Sequence, residues 1–212
     1  MVRLLPVPDA WYAEAVRYVY THEVMEGTGG STFAPAKSLT RAEVVQILYN
    51  LEGKPAMTGT TSFEDSVSHW AKTPIAWAQQ TGVVDGYEDN TFRPEKAVTR
   101  DELAQMLYNY AQYKGYDLTN AGDLTQFPDG DQVSDWAETA MSWANGKKLI
   151  NGFEDDTLRP GGNSTRAQAA SILMKFDQNL VQNLMFMQRP GAIPAFCLSK
   201  SRGGATSKFA GQ

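Results

Sequence analysis

The sequence predicts an all-α fold made of three copies of one helix–loop–helix unit around a shared core, and three observations predict it. Trp11, Trp70 and Trp136 are separated by 59 and then 66 positions, and the same two steps relate Gly27, Gly86 and Gly152, Pro35, Pro94 and Pro160, and the pairs Thr40-Arg41, Thr99-Arg100 and Thr165-Arg166. Apolar residues recur at helical spacing twice within each copy. Helix start and stop residues bound each periodic segment. A unit copied together with its charged surface residues, and not only its apolar ones, predicts several similar binding grooves on one scaffold.

The first helix of each unit is expected near Asp9, Ser68 and Ser134, side chains suited to an N-cap, two positions before the repeated Trp. Its apolar face reads Trp11, Ala15, Tyr18 and Val19, then Trp70, Pro74, Trp77 and Ala78, then Trp136, Ala140, Trp143 and Ala144. That face predicts a buried tryptophan stripe. Pro74 lies early enough in its helix to be tolerated. An apolar pair (Val24-Met25, Val83-Val84, Leu149-Ile150) leads into the loops GTGGSTFAP, GYEDNTFRP and GFEDDTLRP. Glycine after such a pair suggests a left-handed C-cap, and the closing Pro favours extended backbone before it. Phe33, Phe92 and Leu158 are expected to plug the loops onto the core.

The second helix opens with T-R-A-E at 40–43, T-R-D-E at 99–102 and T-R-A-Q at 165–168. Threonine followed three residues later by Glu or Gln is a capping box. Apolar residues then fall at 44, 47, 48 and 51, at 103, 106, 107 and 110, and at 169, 172, 173 and 176, one face of a helix. The units are bounded as 1–53, 62–113 and 126–180, with linkers at 52–62 and about 111–126. The tail at 188–212 has no periodicity and is rich in Gly, Ser and Lys, which predicts disorder or an unrelated segment.

Phe63-Glu64-Asp65 and Phe127-Pro128-Asp129 open the second and third units with F-x-D, where the first has only Leu4-Leu5-Pro6. The first unit is therefore expected to be truncated at its N-terminus, the chain being a C-terminal piece of something longer or starting internally. MVRLLPVPDAW holds no apolar core of signal-peptide length, and no run of 18 apolar residues suggests membrane insertion. Net charge is −5, and before residue 176 the chain carries 15 basic against 23 acidic residues. That balance argues against nucleic acid as a partner. Cys197 is the only cysteine, which excludes internal disulfides and Cys-rich metal sites.

Arg41, Arg100 and Arg166 each follow the capping Thr directly. A cation there opposes the helix dipole at roughly 0.3–1 kcal/mol per site, so its triplication calls for a gain elsewhere. In one reading, unpaired amides, the positive end of the dipole and the guanidinium form an anion site suited to a carboxylate. In the other, each Arg pairs with a nearby acid such as Asp89 or Asp155. On the first, Arg100→Ala weakens binding with little loss of stability.

The order W-A, G-Y-x-D-x-T-F-x-P and T-R-x-E, three times over residues 4–176, resembles the surface-layer homology (SLH) domain. The resemblance implies three repeats about a pseudo-threefold axis, with ligand grooves between neighbours. It also implies a cell-surface module that anchors proteins non-covalently by binding secondary cell-wall polysaccharide, often pyruvylated, or modified peptidoglycan. Carried over by position, Arg41, Arg100 and Arg166 meet the ligand carboxylate, and Gly86, Asp89, Gly152 and Asp155 are loop contacts. Trp70 and Trp136 would stack on a sugar face, although a Trp on a helical apolar stripe more often belongs to the core. The first repeat departs furthest, with Gly30 for the loop Asp, and Gln168 replaces Glu in the third.

Other classes find less support. An enzyme would need more than the paired acids Glu88-Asp89 and Glu154-Asp155, because no nucleophile repeats with them and His22 and His69 do not align. A calcium loop would want glutamate where Lys96 stands. No cofactor or metal is called for. A protein-interaction or surface-layer assembly module without direct glycan binding would use aromatics such as Tyr12, Tyr87 and Tyr113.

Overall fold

The computed structural model describes residues 9–29 and 32–182. Leu4-Leu5-Pro6, Gly30 and the tail at 188–212 lie outside the described residues. Within them run six α-helices: α1 (Ala13–Thr21), α2 (Arg41–Leu51), α3 (Lys72–Gln80), α4 (Arg100–Tyr113), α5 (Glu138–Gly146) and α6 (Arg166–Phe176), followed by a π-helical turn at Asp177–Gln182. No strand forms among them, and the fold is all-α.

The second helices start as their sequences require. Thr40, Thr99 and Thr165 each accept the amide of Glu43, Glu102 or Gln168, whose side chain accepts the Thr amide in return. Their apolar faces are buried apart from Leu51, which is half-buried.

The first helices start later than the sequence suggests. Their N-caps are Tyr12, Ala71 and Ala137, without side-chain capping bonds, and not Asp9, Ser68 and Ser134. Tight backbone turns satisfy the opening amides instead: Ala13 N donates to Ala10 O, Lys72 N to His69 O and Ala137 N to Ser134 O. The repeated tryptophans therefore sit in the turn ahead of the helix and point outward. Trp11, Trp70 and Trp136 are 68%, 59% and 57% exposed, whereas Trp77 and Trp143 within the helices are buried. The expected stripe is real, but it starts one turn later.

The left-handed caps are also displaced, to Glu23, Gly82 and Lys148 at φ 57°, 71° and 59°, four residues before the loop glycines. Each is a Schellman motif, in which Val24, Val83 and Leu149 donate to Val19, Ala78 and Ala144. Gly86 and Gly152 serve packing. A Cβ on Gly86 would lie 2.2 Å from Phe63 Cε1, and one on Gly152 would lie 2.8 Å from Phe127 Cε1. Phe33, Phe92 and Leu158 are buried as expected.

The helix pairs that pack most closely join different repeats: α2 on α3, α4 on α5 and α6 on α1. The ring is closed by backbone bonds between equivalent residues: Leu39 N donates to Ser164 O, Ser164 N to Val98 O and Val98 N to Leu39 O. These three are fully buried, so the pseudo-threefold axis runs through the core. Closing the ring lets each unit, too small to bury its own apolar face, share one hydrophobic centre.

Candidate functional site

The start of each second helix is built into the neighbouring repeat. The first two amides of α2 donate to Lys96 O and Pro94 O, those of α4 to Gly162 O and Pro160 O, and those of α6 to Lys37 O and Pro35 O. The third goes to the capping Thr. No free amide remains there for an anion, which corrects the expectation that unpaired amides form the site.

The arginines bridge the same junctions. Arg41 Nε donates to Phe92 O at 2.8 Å, Arg100 Nε to Leu158 O at 2.6 Å and Arg166 Nε to Phe33 O at 2.8 Å. Arg100 Nη2 also donates to Asn151 O at 3.0 Å, and Arg166 Nη2 to Glu26 O. These bonds supply the gain that offsets the helix dipole. Nor do the arginines pair with the loop acids: Asp89 holds Arg93 at 3.1 Å and Asp155 holds Arg159 at 2.6 Å. Burial, with Arg159 beside it, pushes the Arg100 guanidinium down to about 10, still charged at neutral pH. Burial lowers Arg166 as well.

Each guanidinium also lies over aromatic rings. Arg41 sits 4.9 Å from the centre of Tyr87 and 4.6 Å from that of Phe92, and Arg93 contacts Tyr87 at 3.8 Å. Phe153 is shared in the same way by Arg100 at 4.7 Å and Arg159 at 4.3 Å. In the first repeat the positions matching Tyr87 and Arg93 are Thr28 and Ala34, leaving Arg166 over Phe33 at 4.6 Å.

The loop is shaped by its acids. Asp89 and Asp155 each accept the amide and hydroxyl of the Thr two residues on, which holds both carboxyls below the usual range, Asp155 at about 2. Asp65 and Asp129 of F-x-D were given no role by the sequence. Asp65 accepts the amides of Phe92 and Arg93 at 3.0 and 2.7 Å, and Asp129 those of Leu158 and Arg159, both at 2.7 Å. They pin the left-handed Arg93 (φ 55°) and Arg159 (φ 50°). The legible signal was the recurrence of F-x-D itself.

Two grooves result. One, of about 740 Å³, is lined by Arg41 of the first repeat, Gly86, Tyr87 and Asp89 of the second, and Trp136 of the third. The other, of about 690 Å³, is lined by Arg100 of the second, Gly152, Phe153 and Asp155 of the third, and Trp11 of the first. All three repeats thus contribute to each groove. Trp70 lines neither, although it is exposed, and Trp11, the equivalent of Trp136, takes a place that the family resemblance gives only to Trp70 and Trp136. Of the tyrosines considered for a protein interface, Tyr113 is exposed and packs edge-on to Trp77, while Tyr12 and Tyr87 are half-buried.

The S-layer homology domain model matches residues 6–45, 62–104 and 126–170, most of the chain. The chain belongs to the S-layer homology domain family. This family's domain is a binding module, and membership assigns the chain to the cell surface. The chain is similar to the endoglucanase of Bacillus sp. (strain KSM-635), 29% identical over 77% of this chain and 17% of that protein. It is similar to the surface-layer 125 kDa protein of Lysinibacillus sphaericus, 29% identical over 79% and 14%. A third relative is the cellulosome-anchoring protein of Acetivibrio thermocellus, 34% identical over 46% and 23%. The chain spans less than a quarter of the length of each. No helix among the described residues is long and apolar enough to cross a membrane.

Proposed function

We propose that this S-layer homology module holds a larger protein on the cell wall without catalysis, by binding secondary cell-wall polysaccharide, an anionic and pyruvylated glycan, in its inter-repeat grooves. The observation that carries this reading is the make-up of each groove, with a buried guanidinium from one repeat, an acid-shaped loop from the next and an exposed tryptophan from the third. An exposed indole at a groove wall offers a sugar ring an apolar face, and a fixed guanidinium offers a carboxylate a forked donor. The relatives named for surface layers and cellulosome anchoring favour the same reading. Several weak grooves on one repetitive polymer also raise retention above that of a single site.

The test is co-sedimentation with native sacculi and with sacculi stripped of secondary polymer by acid, for the parent protein and the Trp11→Ala/Trp136→Ala variant. Binding that needs both polymer and tryptophans supports the proposal. Equal pelleting on both preparations points to peptidoglycan, and no pelleting on either points to a protein partner.

A further inference from the structure

Two Asn-Gly steps occur in the chain, Asn145-Gly146 and Asn151-Gly152, and the fold treats them differently. In such a step the glycine amide nitrogen can attack the asparagine side-chain carbonyl carbon, because no Cβ shields the nitrogen. The bond from that carbon to the side-chain nitrogen breaks, and ammonia leaves a five-membered succinimide behind. Water then adds to either ring carbonyl and opens the ring. One opening leaves aspartate in an ordinary chain. The other runs the chain through the β-carboxyl and frees the α-carboxylate, giving isoaspartate. The net change is amide plus water to acid plus ammonia, without oxidation or reduction.

Asn145-Gly146 is held shut. Gly146 is the last residue of α5, and a Cβ on it would lie 1.7 Å from Asn120 O and 2.8 Å from Gly122 N, so the linker is packed hard against it. The Asn145 side-chain amide donates to Ile150 O at 3.1 Å. Asn151-Gly152 lies beyond the helix, at the head of the third repeat's loop. Asn151 is exposed, and its side chain has no hydrogen-bond partner among the described residues. The Gly152 amide bonds to no acceptor among them either. Nucleophile and electrophile are adjacent, and neither is engaged elsewhere.

The two products differ in consequence. Asp85-Gly86 is the equivalent step of the second repeat, so this loop accommodates aspartate. Isoaspartate instead lengthens the main chain where two contacts fix it. Asn151 O takes Arg100 Nη2 at 3.0 Å, and Gly152 sits so close to Phe127 that a Cβ would lie 2.8 Å from Cε1. Either product adds a carboxylate to the wall of the groove that Arg100 and Trp11 line.

We propose that Asn151-Gly152 is a self-modification site, converting spontaneously to aspartate and isoaspartate and so placing a negative charge in this groove, while Asn145-Gly146 stays intact. The added charge opposes an anionic glycan, a consequence that rests on the glycan-binding reading above, whereas the conversion itself does not.

The full chain is held at physiological temperature in mildly alkaline buffer, and its peptides are mapped over time with fragment ions assigning each site. A protein isoaspartate methyltransferase counts the isoaspartyl groups, and a synthetic peptide of residues 149–159 gives the unfolded rate. Asn151 should convert at least about tenfold faster than Asn145, which waits for local opening of the helix end. Asn151→Gln, whose longer side chain would have to close a six-membered ring, should abolish the signal at this site. Equal rates at the two sites, or an Asn151 that stays intact while the peptide converts, overturns the proposal. Sacculus co-sedimentation then compares fresh and aged samples of each protein, with thermal melting to show that each is folded. Binding should fall with conversion in the parent and hold in Asn151→Gln. If the parent converts and its binding holds, the effect on the groove is overturned. If even the fresh parent does not pellet, the glycan reading fails, and the peptide map alone decides the modification.

Discussion

Arg41 and Glu102, 61 residues apart, meet at 3.1 Å with both side chains buried. Arg41 is the first residue of α2 and Glu102 the third of α4, so one ion pair ties the start of one repeat's helix to the start of the next. Glu102 also closes its own capping box. Replacing it by Ala leaves a buried guanidinium without its carboxylate and strips the cap, which should cost about 2 to 4 kcal/mol in chemical denaturation. Glu102→Gln should cost less, because Gln168 shows that the amide keeps the box closed.

Acid should unfold the protein through these carboxylates. Burial pushes Glu102 up, but Lys96, Tyr87 and the Thr99 amide outweigh it and hold the group below the usual carboxylate range. Asp65, Asp89 and Asp155 are depressed as well, Asp155 to about 2. A depressed folded-state pKa gives stability that is fully present above the unfolded value and lost as pH falls through the folded one. Melting temperature should therefore hold at pH 6 to 7 and fall from about pH 4 toward pH 2. A flat profile across that window would remove these groups from the account.

The exposed and buried tryptophans should separate binding from folding. Trp136→Ala and Trp11→Ala are expected to leave the melting temperature nearly unchanged while weakening wall binding. Trp143→Ala empties a fully buried site between α4 and α5 and should cost about 3 to 5 kcal/mol. Similar melting losses for Trp136 and Trp143 would contradict the outward placement.

Arg100→Ala is no longer expected to spare stability. The side chain is buried, spans two carbonyls of the third repeat and lies over Phe153, so its removal should cost about 2 kcal/mol, read by urea unfolding. Arg100→Lys keeps the charge but not the fork, and should retain only part of that stability.

On the axis, the Ser164 hydroxyl is fully buried with no hydrogen-bond partner among the described residues, where Leu39 and Val98 are apolar. Ser164→Ala should be neutral or stabilising by about 1 kcal/mol, measured as a shift in denaturation midpoint.

The local chemistry was legible in the sequence. The capping boxes at Thr40, Thr99 and Thr165 and the apolar faces of α2, α4 and α6 depend on residues three or four positions apart, and α-helical geometry alone relates such neighbours. The threefold copy was legible because equal steps need no structure to be counted. Only the tertiary structure decided what each copy faces. Ring closure joins Leu39, Val98 and Ser164 across the chain, and it hands the amides and guanidinium of each Thr-Arg step to the next repeat's loop. Whether Trp136 is core or surface turns on where α5 begins, and backbone turn bonds decide that in place of a side-chain cap. The charge of each groove likewise comes from three repeats that converge only when the ring closes, so no single stretch of sequence contains it.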